Sequence, residues 1–164
     1  MWTWGAYVEQ EGWSMTNDRP RVLLADDHRA ILDYLCELLA ADFDIVGMVG
    51  DGQGTLTAAA ELEPAVVVLD ISMPVLSGLE AAVHLARLPH PPRVVFLTVH
   101  EDAEFLEAAM SSGALGYVLK RKMGSDIAAA IRDALAGRIF VSPSIRADFQ
   151  PEASSHAGSG GRRS

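Results

Sequence analysis

The stretch VVVLDISMP, residues 66–74, passes from four apolar residues to a single carboxylate, Asp70, and then to a proline. An uninterrupted apolar run of this length is typical of a strand buried on both faces of a parallel sheet. A carboxylate is costly to bury unless it is paired or solvated. We therefore expect Asp70 to lie at the end of a buried strand, facing partners from other parts of the chain.

The same alternation of elements extends along most of the chain. Apolar runs with the length and composition of strands occupy residues 22–25, 45–49, 65–69, 93–97 and 115–119. Each is followed by apolar residues at helical spacing, within 31–39, 52–62, 79–86, 105–110 and 127–135. This pattern predicts an α/β fold of the flavodoxin-like (βα)5 type. We expect a doubly wound sandwich around a five-stranded parallel sheet in the order 2-1-3-4-5.

The length of 164 residues and a hydrophobic content of 49% predict one globular domain with less ordered ends. We expect a flexible N-terminal extension at residues 1–19, the domain at 20–140 and a mostly disordered tail at 141–164 that finishes in Gly, Ser and Arg. Met15 offers an alternative translation start, directly before the first strand.

The balance of charge restricts the partners. A net charge of −9 argues against a nonspecific grip on nucleic acid or on an anionic membrane, because both require excess Lys and Arg. No stretch approaches the roughly 20 apolar residues of a membrane span. The single cysteine, Cys36, is expected as a small core residue on a helix. The sequence predicts a soluble, cytoplasmic protein.

Chemically active residues stand where the predicted strands end. Asp26 and Asp27 follow the first strand, Asp70 the third, Thr98 the fourth and Lys120 the fifth. In an open parallel sheet, ligands bind beyond the carboxyl ends of the strands. Clustered carboxylates repel one another unless a cation joins them, and Mg²⁺ is usually held by carboxylates, water and phosphate oxygens. We expect a magnesium site opposed by the ammonium of Lys120.

These residues belong to four segments that together resemble the receiver domain of bacterial two-component response regulators. The resemblance runs from about Pro20 to Phe140. Its landmarks are the acidic pair at 26–27, DISMPVLSG at 70–78, LT at 97–98 and GALGYVLK at 113–120. It implies that a histidine kinase donates a phosphoryl group to Asp70, and that the chain acts on no other substrate while also dephosphorylating itself.

The resemblance also assigns roles to the neighbours of Asp70. Asp27, Asp70 and the backbone carbonyl of Ser72 would hold Mg²⁺, and Asp26 would contribute through the water shell of the ion.

Two further roles concern the response to phosphorylation. Thr98 would hydrogen-bond the phosphoryl group and Lys120 would pair with it, while Tyr117 would change rotamer together with Thr98. A downstream protein or a second copy of the chain would then dock on the face formed by helix 4, strand 5 and helix 5. One landmark departs from the family, because Arg121 stands where many receivers have a proline with a cis peptide bond.

Simpler roles compete with these. Asp26, Asp27 and Thr98 could cap helices, since Asp and Thr favour helix N-termini. His28 and His100 flank the predicted site, but no second Cys or close His pair completes a zinc set. A phosphohydrolase with an Asp nucleophile would need a second acid two residues after Asp70, where Ser72 stands. A receiver used only for assembly would be expected to lack Asp27, Asp70 or Lys120.

The segment GRIFVSP at 137–143 resembles the link from receivers to a LuxR-type helix-turn-helix domain. The residues after Val141 are too few for a domain of roughly 50 residues. A stand-alone receiver is favoured over a truncated receiver of a transcription regulator, and no direct binding of nucleic acid by this chain is expected.

Overall fold

The computed structural model describes residues 18–148. Its strands are β1 (Arg21–Ala25), β2 (Asp44–Val49), β3 (Val66–Leu69), β4 (Arg93–Thr98), β5 (Gly116–Leu119) and β6 (Phe140–Val141). Its helices are α1 (Arg29–Leu39), α2 (Gly52–Leu62), α3 (Gly78–Leu85), α4 (Ala103–Ser111), α5 (Met123–Leu135) and α6 (Pro143–Asp148), with a 3-10 turn at Lys120–Lys122. The bounds of the five predicted strands differ from these by at most one residue.

All six strands form one parallel sheet in the order β2-β1-β3-β4-β5-β6. The predicted order 2-1-3-4-5 is confirmed, and β6 is added beside β5. Because consecutive parallel strands need a crossover, each of the helices α1 to α5 passes over one face of the sheet. The carboxyl ends of β1, β3, β4 and β5 therefore lie side by side.

Two apolar layers cover the sheet, because alternate side chains of each strand point to opposite faces. On one face, Val22, Leu24 and Val68 pack with Leu35 of α1 and Ile131 of α5. The opposite face packs against α2, α3 and α4 through residues that include Leu23, Leu69, Phe96, Ala59, Leu85 and Leu106. Full burial of a side chain such as Leu contributes roughly 1.5–3 kcal/mol. These layers hold the strand ends in place. Cys36 lies partly buried on α1.

Regular secondary structure continues beyond residue 140, where the receiver-like domain was predicted to end. Strand β6 pairs with β5 at Gly116↔Phe140 and Tyr117↔Val141. Helix α6 lies within the segment predicted as a tail, and its Ile145 is buried. The sequence missed β6 because a strand of two residues shows no period. The predicted extension up to residue 17 and the tail beyond 148 lie outside the described residues.

None of the helices found between residues 18 and 148 has both the length and the apolar character needed to cross a membrane.

Candidate functional site

Four predicted site residues meet at the carboxyl edge of the sheet. Asp26 follows β1, Asp70 follows β3, Thr98 ends β4 and Lys120 follows β5. The pairing of β1 with β3, β3 with β4 and β4 with β5 places these ends next to one another. Asp26 is 1% exposed, Asp70 4% and Thr98 0%. The site therefore combines two buried carboxylates, a buried hydroxyl and an ammonium.

Lys120 is the cation that joins the two carboxylates. Its Nζ lies 2.8 Å from Asp26 Oδ2 and 3.1 Å from Asp70 Oδ2. It donates a hydrogen bond to Asp70 and forms a shorter ion pair with Asp26. The buried Asp26 Oδ2 therefore has the Lys120 ammonium as its partner. Lys120 lies opposite Asp26 and Asp70, as the sequence predicted.

The electrostatics of the site act in opposite directions on the carboxylate and the ammonium. Burial raises the pKa of Asp70 above its usual 3.8, and the charge of Asp26 raises it further, while Lys120 partly offsets both. Burial works to lower the pKa of Lys120, but the attraction of Asp26 and Asp70 outweighs it and leaves that pKa above 10.5. Lys120 is therefore held as a cation, and Asp70 is a carboxylate that a further positive charge would favour.

Asp27 and His28 extend the acidic cluster toward solvent. One ligand atom from each of Asp26, Asp27, His28 and Asp70 lies within 4.8 Å of the others. His28 Nδ1 is 3.1 Å from Asp26 Oδ1 and 3.1 Å from Asp27 Oδ1, and the His28 amide donates to Asp26 Oδ1 at 2.9 Å. The sequence placed His28 at the rim of the site. Its position directly after two acids was the signal for this closer contact.

The cluster fits a hard divalent cation. Such ions prefer oxygen ligands, and Mg²⁺ commonly takes one or two carboxylates together with water and phosphate oxygens. Three carboxylates, those of Asp26, Asp27 and Asp70, converge here against the single ammonium of Lys120, and the pKa of Asp70 is raised by burial and by Asp26. Both features describe negative charge that the described residues only partly neutralise. Asp26, Asp27 and Asp70 are therefore able to hold such an ion.

His100 connects three of the predicted site residues. Its backbone N–H donates to Thr98 Oγ1 at 3.1 Å, and its Nε2 lies 3.0 Å from Ser72 Oγ. The imidazole stacks on the ring of Phe105 with a centroid distance of 3.9 Å. The Ser72 amide in turn donates to Asp70 Oδ1 at 3.3 Å. His100 thus links the loop after β4 to the loop that carries Asp70, which its spacing in the sequence did not reveal.

Tyr117 is fully buried in β5, and its hydroxyl donates to the His100 carbonyl at 2.9 Å. Burial raises the pKa of this phenol to about 12, with a smaller contribution from Asp102. The hydroxyl is therefore neutral at physiological pH. Thr98 and Tyr117 contact the same residue, His100, through its backbone N–H and its carbonyl.

The loop from Asp70 to Gly78 is held by close backbone contacts. A Cβ on Gly78 would lie 2.0 Å from the Asp70 carbonyl oxygen, so glycine is required at this position. Val75 has a φ of 71°, and the Leu76 amide donates to the Pro74 carbonyl at 2.7 Å, which closes a tight turn around Val75. Helix α3 then begins with a capping box between Ser77 and Glu80. These contacts fix where Asp70 lies.

Helix capping does not account for the acidic residues or for Thr98. His28 precedes α1 and Asp102 precedes α4 as N-caps, without a side-chain cap hydrogen bond at either helix. Thr98 accepts its hydrogen bond in the loop before α4. The helix that Thr98 was expected to cap begins only at Ala103.

Comparison with known proteins assigns the family. Residues 22–132 match the family described as Response regulator receiver domain. This chain belongs to that family. The receiver is 36% identical over 140 residues to the response regulator GacA of Pseudomonas viridiflava, covering 80% of this chain and 65% of that protein. It therefore spans less than two thirds of this curated relative.

Solved structures show the same architecture. The receiver superimposes on a LuxR-family two-component response regulator from Aurantimonas sp. SI85-9A1 with a TM-score of 0.78 and 28% identity, covering 83% of this chain and 99% of the other. The signal receiver domain of the putative response regulator NarL from Mycobacterium tuberculosis gives a TM-score of 0.70 at 28% identity, with coverages of 73% and 98%.

Arg121 stands at the position where many receivers have a proline. Among residues 18–148 there is no cis peptide bond. The residue enters the 3-10 turn after Lys120 and makes a two-pronged ion pair with Glu101, at 3.0 Å from Nε to Oε2 and 3.3 Å from Nη2 to Oε1. Hydrogen bonding to Arg121 lowers the pKa of Glu101. In this receiver an exposed ion pair joins the loops after β4 and β5.

Proposed function

We propose that Asp70 is the phosphoacceptor of this receiver and that a histidine kinase is the donor. The observation that carries the proposal is the position of the Asp70 carboxylate, buried at the end of β3 and 3.1 Å from the Lys120 ammonium. A carboxylate oxygen of Asp70 attacks phosphorus, the bond from phosphorus to the kinase imidazole nitrogen breaks, and an acyl phosphate forms. The electron pair of that bond leaves with the imidazole.

The residues around Asp70 supply positioning and charge. Phosphoryl transfer requires an in-line nucleophile and neutralisation of the equatorial oxygens, with little covalent chemistry from the protein. The Ser72 amide orients one oxygen of Asp70 and Lys120 the other. Lys120 remains a cation because Asp26 and Asp70 raise its pKa. It is therefore available to pair with the phosphoryl oxygens.

Asp27, Asp70 and the Ser72 carbonyl are the proposed ligands of Mg²⁺, with Asp26 acting through its water shell. When bound, the ion adds positive charge beside the phosphoryl oxygens and the nucleophile. The contribution of this chain is the convergence of Asp26, Asp27 and Asp70 at one edge of the sheet.

The proposed switch runs through Thr98 and Tyr117. The Thr98 hydroxyl already accepts from the His100 amide, so its proton is free to be donated to a phosphoryl oxygen. A change at Thr98 reaches Tyr117 through His100, whose carbonyl accepts from the Tyr117 hydroxyl. The α4, β5 and α5 face is the proposed docking surface for a downstream protein or for a second copy. Strand β6 already occupies the edge of β5.

A receiver that belongs to a longer transcription regulator is the second candidate. It is favoured by the GacA relative, of which this chain covers 65%, and by the ordered segment β6–α6 that leads out of the sheet. Contact with DNA would then require a separate domain, because a net charge of −9 disfavours binding by this chain.

Two other functions have less support. A phosphohydrolase would use an acid two residues beyond the nucleophile, and Ser72 at that position is hydrogen-bonded to His100. A receiver that only mediates assembly would not need the ion-paired set of Asp26, Asp70 and Lys120.

The experiment is incubation of the purified chain with Mg²⁺ and acetyl phosphate, followed by intact mass measurement. Wild type is expected to gain one phosphoryl group and then to lose it. Asp70→Asn is expected to gain none, whereas Asp33→Asn, a change at an exposed carboxylate of α1, is expected to behave as wild type. Equal labelling of Asp70→Asn would reject the assignment. Steady phosphate release from many monoesters would favour the hydrolase.

A further inference from the structure

A buried hydrogen-bond network lies on the far side of the β5 end from the phosphorylation site. Ser142 is fully buried between β6 and α6, and its Oγ accepts from the Leu119 amide at 3.1 Å. The same hydroxyl donates to Asp126 Oδ2 at 2.9 Å. The Ser142 amide donates to the Tyr117 carbonyl at 2.9 Å. Ser142 therefore forms hydrogen bonds with two alternate residues of β5, Tyr117 and Leu119.

Asp126 anchors the other end of this network. It lies in the first turn of α5 and is 8% exposed, and its Oδ1 accepts from Ser125 Oγ at 3.0 Å. An acidic residue in the first turn of a helix is favoured by the helix dipole. The network thus connects the end of β5, the start of α5 and the segment that leads into α6.

Lys120 stands inside the region that this network fixes. It directly follows Leu119, whose amide Ser142 holds, and its 3-10 turn leads into α5, where Asp126 lies. Its ammonium must reach Asp26 and Asp70 at 2.8 and 3.1 Å. Displacement of a charged group by about 1 Å is enough to slow a positioned reaction strongly.

We propose that Ser142, supported by Asp126, is a positioning residue for phosphoryl transfer that acts through Leu119 on Lys120. The inference rests on the proposed function of Asp70 and Lys120. Segment 140–145, outside the span that matches the receiver family, is then part of the phosphorylation machinery.

The test compares four single variants of the full chain and the double variant Ser142→Ala/Asp126→Ala. Ser142→Ala removes both hydroxyl contacts, and Asp126→Ala removes the acceptor. Asp126→Asn keeps an oxygen that accepts from Ser142 and is the conservative rescue. Ser144→Ala changes the exposed serine two residues beyond Ser142 and is the matched control. Rates are measured with Mg²⁺ and acetyl phosphate, and circular dichroism confirms that each variant is folded.

Ser142→Ala and Asp126→Ala are each expected to slow phosphorylation about tenfold. The double variant should be no slower than either, because both residues act through one network. Asp126→Asn and Ser144→Ala should remain within about twofold of wild type, because Asn keeps an acceptor for the Ser142 hydroxyl and Ser144 is exposed. If Ser142→Ala does not fold, the proposal is tested by the rates of Asp126→Ala and Asp126→Asn alone. A slow Asp126→Ala with a near wild-type Asp126→Asn supports it. Wild-type rates in folded Ser142→Ala or Asp126→Ala would overturn the proposal.

A second measurement separates this proposal from the proposed function. The NMR signal of the Lys120 ammonium and the exchange rate of the Leu119 amide report the network without any phosphorylation. If wild type takes no label but both signals change in Ser142→Ala, the positional link stands and the assignment of Asp70 fails. If wild type is labelled and the Lys120 signal is unchanged in Ser142→Ala, the positioning role fails.

Discussion

The Lys120 ammonium donates a hydrogen bond to Asp70 Oδ2 at 3.1 Å. This contact joins the ends of β3 and β5 across β4 and places the positive charge of the site beside the proposed nucleophile. It also explains how the fold tolerates a carboxylate that is only 4% exposed, since the ammonium offsets part of the cost of burying Asp70.

Lys120→Ala is expected to reduce the phosphorylation rate about 100-fold, because it removes the charge that pairs with the phosphoryl oxygens. The rate with acetyl phosphate and Mg²⁺ is the measurement. Lys122→Ala is the matched control, since Lys122 is the other lysine of the chain and is exposed. Equal loss of rate in both variants would show a general charge effect instead.

Asp70→Asn is expected to raise the free energy of unfolding at neutral pH by on the order of 1 kcal/mol, since it removes a buried charge that Asp26 repels. The raised pKa means that the folded state binds the proton of Asp70 more tightly than the unfolded state does. As pH falls through the folded pKa toward 3.8, wild type becomes protonated and the advantage of the variant shrinks. Urea unfolding at several pH values measures this advantage. If the stability advantage of Asp70→Asn over wild type increased at low pH, burial and repulsion of the Asp70 charge could not be the cause of that advantage.

Mg²⁺ is expected to stabilise the folded chain. At a concentration about tenfold above its dissociation constant, binding contributes about 1.4 kcal/mol. Thermal unfolding with increasing Mg²⁺ measures this gain. Asp27→Asn should weaken it, while Glu37→Gln, at an exposed position of α1, should leave it unchanged. A gain that survives in Asp27→Asn would exclude Asp27 as a ligand.

Val75→Gly is expected to stabilise the protein by about 0.5–1 kcal/mol, because valine is strained at a φ of 71° while glycine is not. Val99 is a matched control, since it is also an exposed valine at this end of the sheet and its φ is not positive. Val99→Gly should therefore destabilise by a similar amount. Urea unfolding compares the two, and destabilisation by both changes would show that the turn is not strained.

The alternation of apolar runs and helical periods predicted the parallel sheet, and the order 2-1-3-4-5 was the simplest doubly wound arrangement of five such units. The convergence of Asp26, Asp70, Thr98 and Lys120 followed from that order, since each stands where a central strand ends. Local patterns were sufficient for these features because parallel sheets place all their carboxyl ends at one edge.

Other features depend on contacts that no local pattern encodes. The pairing of Lys120 with Asp26 as well as Asp70 depends on how the loop after β5 is folded. His100 was expected only near the site, and its link to Thr98 and Tyr117 requires the backbone path after β4. Likewise, β6 exists because the edge of β5 is available for pairing.

The assignment of Asp70 as phosphoacceptor is tested most directly by locating the phosphoryl group in the protein. Wild type is phosphorylated with acetyl phosphate and Mg²⁺, the acyl phosphate is reduced with borohydride, and the peptides are sequenced by mass spectrometry. Reduction converts a phosphorylated Asp to homoserine, and we expect homoserine at position 70. Homoserine at position 26 or 27, with intact Asp70, would contradict the assignment.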